Sequence, residues 1–430
     1  MQIRFIANTS FDITTSTGQR IFTDPWWEPG TYLGTWHNFP PIPRSLLDEL
    51  YSCEPTFIYI SHLHPDHFHL RTLDYFDRCI PIVIGKLTNG HLRRALLGNG
   101  FKNVFECEFW EWQEVFGVEL MLWPQFQTNS GGVENLIVYQ LDTSIVIRDL
   151  DLTFLNLVDN SMIVAQAREL RERLGSPSIA ALPYCGASLY PHAFNYSAQE
   201  KIRKVKEIRS AAPSHFRAIV EELRPEVVIP AAGLYVFPKQ FDSYNSYLQQ
   251  ATPEEIRLSL TDIRSSSALA NLDAGGTLTR EFDQWRIGRI QDWTENERVS
   301  YGRSLSGSLA YEGMKIPEET KLPWPRILRR CSENLAKKQK LLSVFTDVAV
   351  IVCLEQHPDL KFVISLSASN AIETLPWIKF EVDERLLFLI VNGCFDWNNA
   401  KVGAHFEIDR WPDVYNPTAH SLMSYFSLLS

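Results

Sequence analysis

The chain has 430 residues, which is too long for one small core and predicts two or three domains. Its formal net charge of −10 argues against nucleic-acid binding, which needs a basic surface. No apolar run is long enough to span a bilayer, the N-terminus lacks a signal-peptide pattern, and the seven cysteines include no C-x-x-C pair. We therefore expect a cytoplasmic protein with reduced thiols and with no nucleic-acid or membrane partner.

Short β-runs dominate the first part of the chain. Strands are predicted at residues 3–6 and 21–24, with a polar turn at 14–18 between them. Segment 28–44 is too rich in Pro, Gly and Trp for a regular element, and its length suggests a functional loop. Residues 56–60 form a continuous apolar run, which is typical of a strand buried on both faces.

Helices appear only after this buried strand. Further strands are predicted at 81–84, 118–123, 136–140, 144–148, 179–182 and 227–230, and helices at about 70–78, 162–174 and 198–223. Two β-rich halves with helices predict an α/β fold in which two sheets face each other and helices cover both outsides, the four-layer αββα sandwich.

The character of the sequence changes past residue 290, where charged and Gly/Ser-rich stretches begin. We predict a metal-binding domain over 1–290, a linker or helical segment over 291–343, and a small α+β module over 344–430. Three roles are open for this C-terminal module: it could cover the site, bind a carrier or form a dimer.

The chemistry is concentrated at His62-Leu63-His64-Pro65-Asp66-His67, directly after the buried strand. On an extended chain His62 and His64 point to the same side, so both can bind one metal. Asp66 and His67 follow at a turn and can bind an adjacent second ion. Imidazoles and a carboxylate suit zinc, iron and manganese about equally, so the motif does not select the metal. The alternative, a set of surface histidines on a polar loop, explains this pattern less well.

Weaker candidates follow other predicted strands. Asp24 could orient a metal-bound histidine from behind, or simply end its strand in a turn. Asp151, or Asp149 before it, could supply a carboxylate between two metals, with a hydrogen-bonded turn as the alternative. His192 could be a metal ligand or a structural histidine, and the sequence favours neither. Further site-lining candidates are Tyr184, Glu134, Gln125 and Gln127, and the histidines without a motif, predicted as non-ligands, are His69, His91, His215, His357, His405 and His420.

Several stretches resemble the metallo-β-lactamase-fold part of the CMP-N-acetylneuraminate hydroxylase family. They are Phe22 to Trp27, Gly34 to Pro41, Ile58 to His67, Cys185 to Pro191 and Leu223 to Gly233, with fainter matches at Ala274 to Leu278 and Val391 to Trp411. The resemblance implies a metallo-β-lactamase fold, an iron-dependent oxygenase, and a metal bound by His62, His64, Asp66 and His67, with Asp151 as a further ligand.

The sequence departs from that family and from the hydrolases of the same fold. The hydroxylases carry a Rieske domain that delivers electrons, and this sequence has no Cys/His pair to replace it, so reductive chemistry would need a separate reductase or an electron-supplying substrate. The hydrolases use a histidine after the strand that precedes Asp151 and another near the last strand. Residues 123–130 and 229–233 contain no histidine.

The missing imidazoles favour an oxygen-activating iron site over a two-zinc hydrolase. A two-zinc hydrolase needs nitrogen ligands to lower the pKa of a bridging water, whereas oxygen-activating iron needs open positions. The first hypothesis is therefore a one- or two-iron oxygenase of a small molecule, with zinc or manganese as the alternative metal. Its expected ligands are His62, His64, Asp66, His67, Asp151 and His192, and its candidate catalytic side chains are Asp66, Asp151 and Tyr184.

Two other hypotheses stay open. One is a metal-dependent hydrolase of an ester, lactone or phosphodiester, with a metal-bound hydroxide as nucleophile and Asp66 orienting it. The other is a degenerate metal-binding or scaffold protein. The aromatic residues of segment 26–39 suggest an apolar or ring-bearing substrate, although a packed rim would explain them equally well. Nothing in the sequence indicates the oligomeric state.

Overall fold

The protein folds around two facing β-sheets. The computed structural model of the chain describes residues 1–87, 90–126, 142–186, 188–263, 265–315, 322–368 and 374–429. The strand predicted at 136–140 and the candidates Gln127 and Glu134 lie outside these ranges.

Strands and helices alternate along the described chain. The strands are β1 (Gln2–Ala7), β2 (Ser10–Thr14), β3 (Arg20–Thr23), β4 (His37–Asn38), β5 (Phe57–Tyr59), β6 (Ile82–Gly85), β7 (Val104–Cys107), β8 (Gln113–Val115), β9 (Val118–Pro124), β10 (Thr143–Asp149), β11 (Leu152–Asn156), β12 (Ile179–Pro183), β13 (Val227–Ala231), β14 (Tyr235–Val236), β15 (Ala268–Leu269), β16 (Thr277–Glu281), β17 (Gln284–Ile287), β18 (Ala349–Leu354), β19 (His357–Ser365), β20 (Trp377–Val382) and β21 (Glu407–Trp411). The α-helices are α1 (Thr31–Gly34), α2 (Arg44–Tyr51), α3 (Leu70–Leu73), α4 (His91–Gly98), α5 (Val164–Leu174), α6 (Ala198–Leu223), α7 (Asp242–Asn245), α8 (Pro253–Ser259), α9 (Glu295–Ser304), α10 (Trp324–Leu342), α11 (Glu384–Val391), α12 (Trp397–Val402) and α13 (Pro417–Met423).

The described strands form two large sheets and two small ones. The first large sheet has the order β17-β16-β1-β2-β3-β5-β6-β7, and the second has the order β15-β13-β12-β11-β10-β9-β8. A short pair joins β14 to β4, and a separate four-stranded sheet has the order β19-β18-β20-β21.

The two large sheets pack face to face. Phe11 and Tyr59 of the first sheet share one buried core with Leu120, Ile145 and Phe154 of the second. These strands carry apolar side chains on the inner face because burial of that face is the main source of their stability.

Helices cover both outer faces. Leu50 of α2 and Leu96 of α4 pack on the outside of the first sheet. Leu170 of α5 and Ile219 of α6 pack on the outside of the second sheet. The predicted four-layer αββα sandwich is thus confirmed.

One predicted helix is shorter than expected. The pattern predicted helix from residue 70 to 78, but only Leu70–Leu73 is helical. Nη1 of Arg78 donates a hydrogen bond to the carbonyl of Leu73 at 2.8 Å, which satisfies a carbonyl that a longer helix would have used.

The C-terminal module has its own sheet, β18 to β21, and it packs against the first domain. Leu328 of α10 shares a core with Val350 of β18, so this helix packs with the module. The same core includes Trp36 and Tyr235 of the first domain, whose rings stack with centroids 3.6 Å apart. The predicted domain boundaries remain predictions. In the described ranges no helix is both long and apolar enough to cross a membrane.

Candidate metal centre

The histidine cluster lies at one edge of the sandwich, where both sheets contribute strand ends. In the first sheet β3 and β5 are parallel, so the residues that follow them, Asp24 and the segment 61–67, meet at this edge. In the second sheet β11 runs into Asp159, and the antiparallel β10 begins beside Asp142. Both carboxylates therefore reach the same edge.

One group of metal-binding side chains consists of His62, His64 and Asp142. Nε2 of His62 lies 2.7 Å from Nδ1 of His64 and 3.4 Å from Oδ1 of Asp142. These atoms are close enough for one ion to bind all three.

A second group consists of His62, His67 and Asp159. Nε2 of His67 lies 3.2 Å from Oδ2 of Asp159 and 3.5 Å from Oδ2 of Asp66. The two groups share His62, and together with Asp66 they form a compact centre of three imidazoles and three carboxylates.

Buried hydrogen bonds assign the tautomers of two histidines. The backbone N–H and the hydroxyl of Ser61 donate to the carboxylate of Asp24, at 2.8 and 2.7 Å. The hydroxyl oxygen of Ser61 can then accept from Nδ1–H of His62 at 2.9 Å, and Asp24 accepts from Nδ1–H of His67 at 3.0 Å. In the neutral form of each ring, Nε2 is thereby left with a lone pair for a metal. Of the two alternatives for Asp24, an orienting role requires the hydrogen bond that Asp24 makes to the His67 ring.

The pKa values follow from burial and from close charges. Burial lowers the pKa of His62 to about 4 and raises that of Asp142 to about 7. Burial also disfavours a charge on His67, but the carboxylates of Asp159 and Asp66 raise its pKa well above the ordinary value. A bound cation would reverse this balance, because it favours neutral imidazole and charged carboxylate.

The donor set fits a metal ion. Buried carboxylates are costly unless a cation or hydrogen-bond donors compensate them. Among the described residues that line the adjoining cavity, none is Lys or Arg. His62, His64, His67, Asp66, Asp142 and Asp159 would hold the ion or ions.

A cavity of about 220 Å³ opens beside the cluster. Its walls combine the acidic side chains with small and uncharged groups from the strand ends of the second sheet and with Val402 of the C-terminal module. The lining residues are Tyr32, His64, Asp66, Asp142, Asp159, Ser161, Pro183, Cys185, Gly186, Ala232, Gly233 and Val402.

The structure does not bring Asp151 to this centre, which corrects its prediction as a ligand and catalytic residue. Asp151 lies in the turn between β10 and β11, and its side chain is 78% exposed and faces Arg280 at 3.4 Å. The hairpin runs away from the site, so its turn is at the opposite edge and its two open ends are at the centre. Asp149, beside that turn, accepts a hydrogen bond from the backbone of Ser16.

His192, predicted as a ligand, lies outside both ligand groups, and Tyr184, predicted as a catalytic side chain, is not among the residues that line the cavity. These two predictions are corrected as well. His192 is fully buried against the rings of Phe237 and Tyr244, and neither ring nitrogen has a hydrogen-bond partner among the described residues. Tyr184 packs on Phe216 in the outer core, because side chains alternate along the chain and its neighbour Cys185 lines the cavity instead. Gln125 is exposed.

The sequence reasoning missed Asp142, Asp159 and Tyr32. The hydroxyl of Tyr32 donates to Oδ1 of Asp66 at 2.6 Å. A signal existed for Asp159, which ends the turn after an apolar strand, but it could be used only if the direction of the β10–β11 hairpin were known. No local signal marks Tyr32.

Known proteins share parts of this architecture. Residues 2–132 match the model of the beta-lactamase superfamily domain. A protein of Mycolicibacterium smegmatis whose name describes a Rieske 2Fe-2S iron-sulfur protein is 27% identical over 240 residues, which are 54% of this chain and 43% of that protein. The cytidine monophosphate-N-acetylneuraminic acid hydroxylase of Mus musculus is 25% identical over 253 residues, which are 57% of this chain and 41% of that protein. The chain thus matches less than half the length of these curated relatives.

Among solved structures, the fold is similar to that of CmlA, a diiron beta-hydroxylase from Streptomyces venezuelae. The TM-score is 0.42, with 15% identity, and the likeness covers 67% of this chain and 54% of that chain.

The fold and the matched domain identify a metallo-β-lactamase fold, and its histidine–aspartate centre supports a metal-dependent enzyme. The predicted resemblance to the CMP-N-acetylneuraminate hydroxylases is confirmed as a similarity of 25% identity over 57% of this chain.

Proposed function

We propose that the protein is an iron-dependent oxygenase that hydroxylates or otherwise oxidises a small molecule with one or two iron ions. The observation that supports this proposal is the composition of the two ligand groups, each of which has two imidazoles and one carboxylate. Two histidines and one carboxylate with open positions are the ligand set of non-haem iron(II) oxygenases. Bound iron would supply a redox-active centre with room for dioxygen and substrate.

The proposed reaction needs an electron source. Insertion of one oxygen atom of dioxygen into a C–H bond leaves the second atom as water, and the balance requires two electrons and two protons. We propose that a separate reductase, or the substrate itself, supplies the electrons.

Other residues of the chain would position the ligand side chains. Asp24 orients His67, and the hydroxyl of Tyr32 binds Asp66 at the cavity wall. Burial raises the pKa of the Cys185 thiol to about 12, so this cavity-lining group stays protonated and is a poor nucleophile near neutral pH.

The cavity supports a small substrate. A cavity of about 150 Å³ holds benzene, so about 220 Å³ has room for a molecule of similar or slightly larger size. Beyond the ligand side chains, the described walls are small and uncharged at Pro183, Ala232 and Val402. These walls suit an uncharged or apolar group.

A second candidate is a metal-dependent hydrolase of an ester, lactone or phosphodiester. The observation that favours it is the same ligand group, because two histidines and a carboxylate also bind catalytic zinc. In this candidate zinc would supply an activated water, and Asp66 would help to orient it.

The test begins with metal analysis of the full chain purified without added metal. Oxygen uptake is then measured in the iron-loaded protein with a chemical reductant, above the uptake of reductant alone. Asp142→Ala removes one carboxylate of the proposed centre, and Asp151→Asn is the matched surface control.

Iron binding with oxygen uptake that Asp142→Ala abolishes and Asp151→Asn retains supports the oxygenase. Stoichiometric zinc with anaerobic hydrolysis of aryl esters or phosphodiesters overturns it in favour of the hydrolase. Failure to bind either metal contradicts both candidates and leaves the scaffold hypothesis.

A further inference from the structure

The short element α1 is not a regular helix, and we call residues 30–35 the Tyr32 loop because their backbone conformation is unfavourable. Tyr32 (φ 49°, ψ 55°) and Leu33 (φ 58°, ψ 26°) both lie in the left-handed region, between Gly30 (φ 84°) and Gly34 (φ 105°). Glycine adopts this region readily, but two consecutive residues with side chains do so only at a cost in free energy. Other contacts must therefore hold the loop in place.

One of these contacts comes from the C-terminal module. Nε2 of His405 lies 2.7 Å from the carbonyl oxygen of Tyr32. A carbonyl only accepts, so Nε2 carries the proton, and Nδ1 accepts from the hydroxyl of Tyr311 at 3.0 Å. His405 is thus fully hydrogen-bonded in its neutral form.

Two further contacts fix the same loop. The backbone N–H of Ala310 donates to the carbonyl of Leu33 at 2.9 Å. Gly403 lies so close to the loop that a Cβ atom on it would be 2.9 Å from Cβ of Tyr32. Both peptide carbonyls of the strained pair are therefore bonded to residues beyond the first domain.

The side chain of Tyr32 connects this loop to the centre. Its ring is buried, and its hydroxyl donates to Oδ1 of Asp66 at 2.6 Å. The other oxygen of Asp66, Oδ2, lies 3.5 Å from Nε2 of His67 and faces the ligand atoms. One oxygen of Asp66 is thus committed to Tyr32 and the other is available to an ion.

We propose that the C-terminal module completes the metal centre, with His405 and Tyr32 as positioning residues that fix the carboxylate of Asp66. The module acts through a chain of two hydrogen bonds, from His405 to the Tyr32 backbone and from the Tyr32 hydroxyl to Asp66. This inference rests on the proposed metal centre and is independent of the reaction that the centre performs.

The experiment measures Co²⁺ binding to the full chain by chelator competition and by the visible absorption spectrum of the bound ion. The variants are Tyr32→Phe, His405→Ala and the double variant. Tyr311→Phe is a milder perturbation that removes only the hydroxyl bonded to His405, and it keeps the test decisive where His405→Ala does not fold.

The matched control is His420→Ala. His420 is a buried histidine of the same module, and the rings that it contacts, Phe380 and Tyr415, lie outside the Tyr32 loop. The control reproduces a general loss of packing in the module without touching the proposed chain of hydrogen bonds.

We expect Tyr32→Phe and His405→Ala each to weaken Co²⁺ binding by about 10- to 100-fold and to change the spectrum, as loss of an outer partner of a ligand typically does. The double variant should bind no more weakly than the weaker-binding single variant, because both act through Asp66. Tyr311→Phe should shift affinity in the same direction, and His420→Ala should leave affinity and spectrum unchanged.

Wild-type affinity and spectrum in Tyr32→Phe overturn the inference, and so do additive losses in the double variant or equal effects of His405→Ala and His420→Ala. A wild-type chain that binds no Co²⁺ overturns the metal centre itself, whereas Co²⁺ binding without oxygen uptake by the iron-loaded form overturns only the proposed reaction.

Discussion

Asp24→Asn tests how strongly the buried carboxylate behind His67 controls metal binding. Asp24 accepts from the backbone and the hydroxyl of Ser61 at 2.8 and 2.7 Å and from Nδ1–H of His67 at 3.0 Å. Oδ1 of Asp24 accepts from the Ser61 backbone, and Oδ2 accepts from both the hydroxyl and the imidazole. An amide has one acceptor oxygen, so its NH₂ group must face either the backbone N–H or the hydroxyl and the imidazole together. Facing the imidazole, it would place the His67 proton on Nε2, where an ion needs the lone pair.

The expected magnitude follows from this geometry. Loss of an outer partner of a metal-bound histidine costs about 10- to 100-fold in affinity, or about 1.4 to 2.8 kcal/mol. Because Asp24 and His67 are both buried, the metal-free protein should also lose about 1–3 kcal/mol of unfolding free energy.

The assay is competition of the full chain with a fluorescent chelator for Zn²⁺, together with urea unfolding of the metal-free form. Asp151→Asn, in the exposed turn, is the control and should change neither quantity. The reasoning is refuted if Asp24→Asn binds Zn²⁺ within twofold of the wild type, or if Asp151→Asn weakens binding as much.

Three further outcomes are expected. Gly233→Ala would place Cβ 2.6 Å from the carbonyl oxygen of Cys185, whereas Gly18, which has a similar positive φ, has open space around it. In urea unfolding, Gly233→Ala should therefore lower the free energy of unfolding by about 1–3 kcal/mol more than Gly18→Ala does. Equal losses in the two variants would contradict the packing argument. Burial lowers the pKa of His405 to about 4, against about 6.5 in an unfolded chain, so its stabilising contribution is complete above pH 6.5 and is lost as the pH falls towards 4. The stability difference between wild type and His405→Gln should therefore shrink between pH 7 and pH 5, and a constant difference would argue against a neutral buried imidazole. Removal of bound metal with a chelator should lower the Tm, because saturating ligand at about 100 times its Kd contributes about 2.7 kcal/mol, and an unchanged Tm in calorimetry would exclude a tightly held ion.

The sequence was sufficient for the part of the site that is contiguous in the chain. His62, His64 and His67 follow a strand that its apolar run predicts, so their common position requires only local geometry. The long helix α6 was predicted with the observed bounds, because its Ser197 cap and its apolar periodicity are both local.

The rest of the site depends on strand pairing. Asp142 and Asp159 reach the centre because β10 and β11 form an antiparallel hairpin whose open end points there. Without that pairing the end of β10 has the features of a site position, which is why the sequence predicts Asp151 as a ligand and gives no prediction for Asp159. Strand direction is a property of the sheet, and a single strand does not encode it.

The hydrogen bond between Tyr32 and His405 could not be predicted from the sequence. It joins residues separated by 373 positions, and neither has a local pattern that indicates the other. His405 belongs to neither ligand group, in agreement with its prediction as a non-ligand, but the sequence does not predict that it bonds to the loop beside the centre.

That long-range bond also bears on how the protein is made. A chain grows from its N-terminus, and early domains generally fold while later residues are still being added. His62, His64 and His67 are thus present long before His405 has been synthesised. Until then the carbonyl of Tyr32 has its local donor, the hydroxyl of Thr35 at 3.1 Å, but lacks the imidazole of His405. The contact between His405 and the loop beside the metal centre can therefore form only after residue 405 has been added, which makes it one of the last contacts around the site to form.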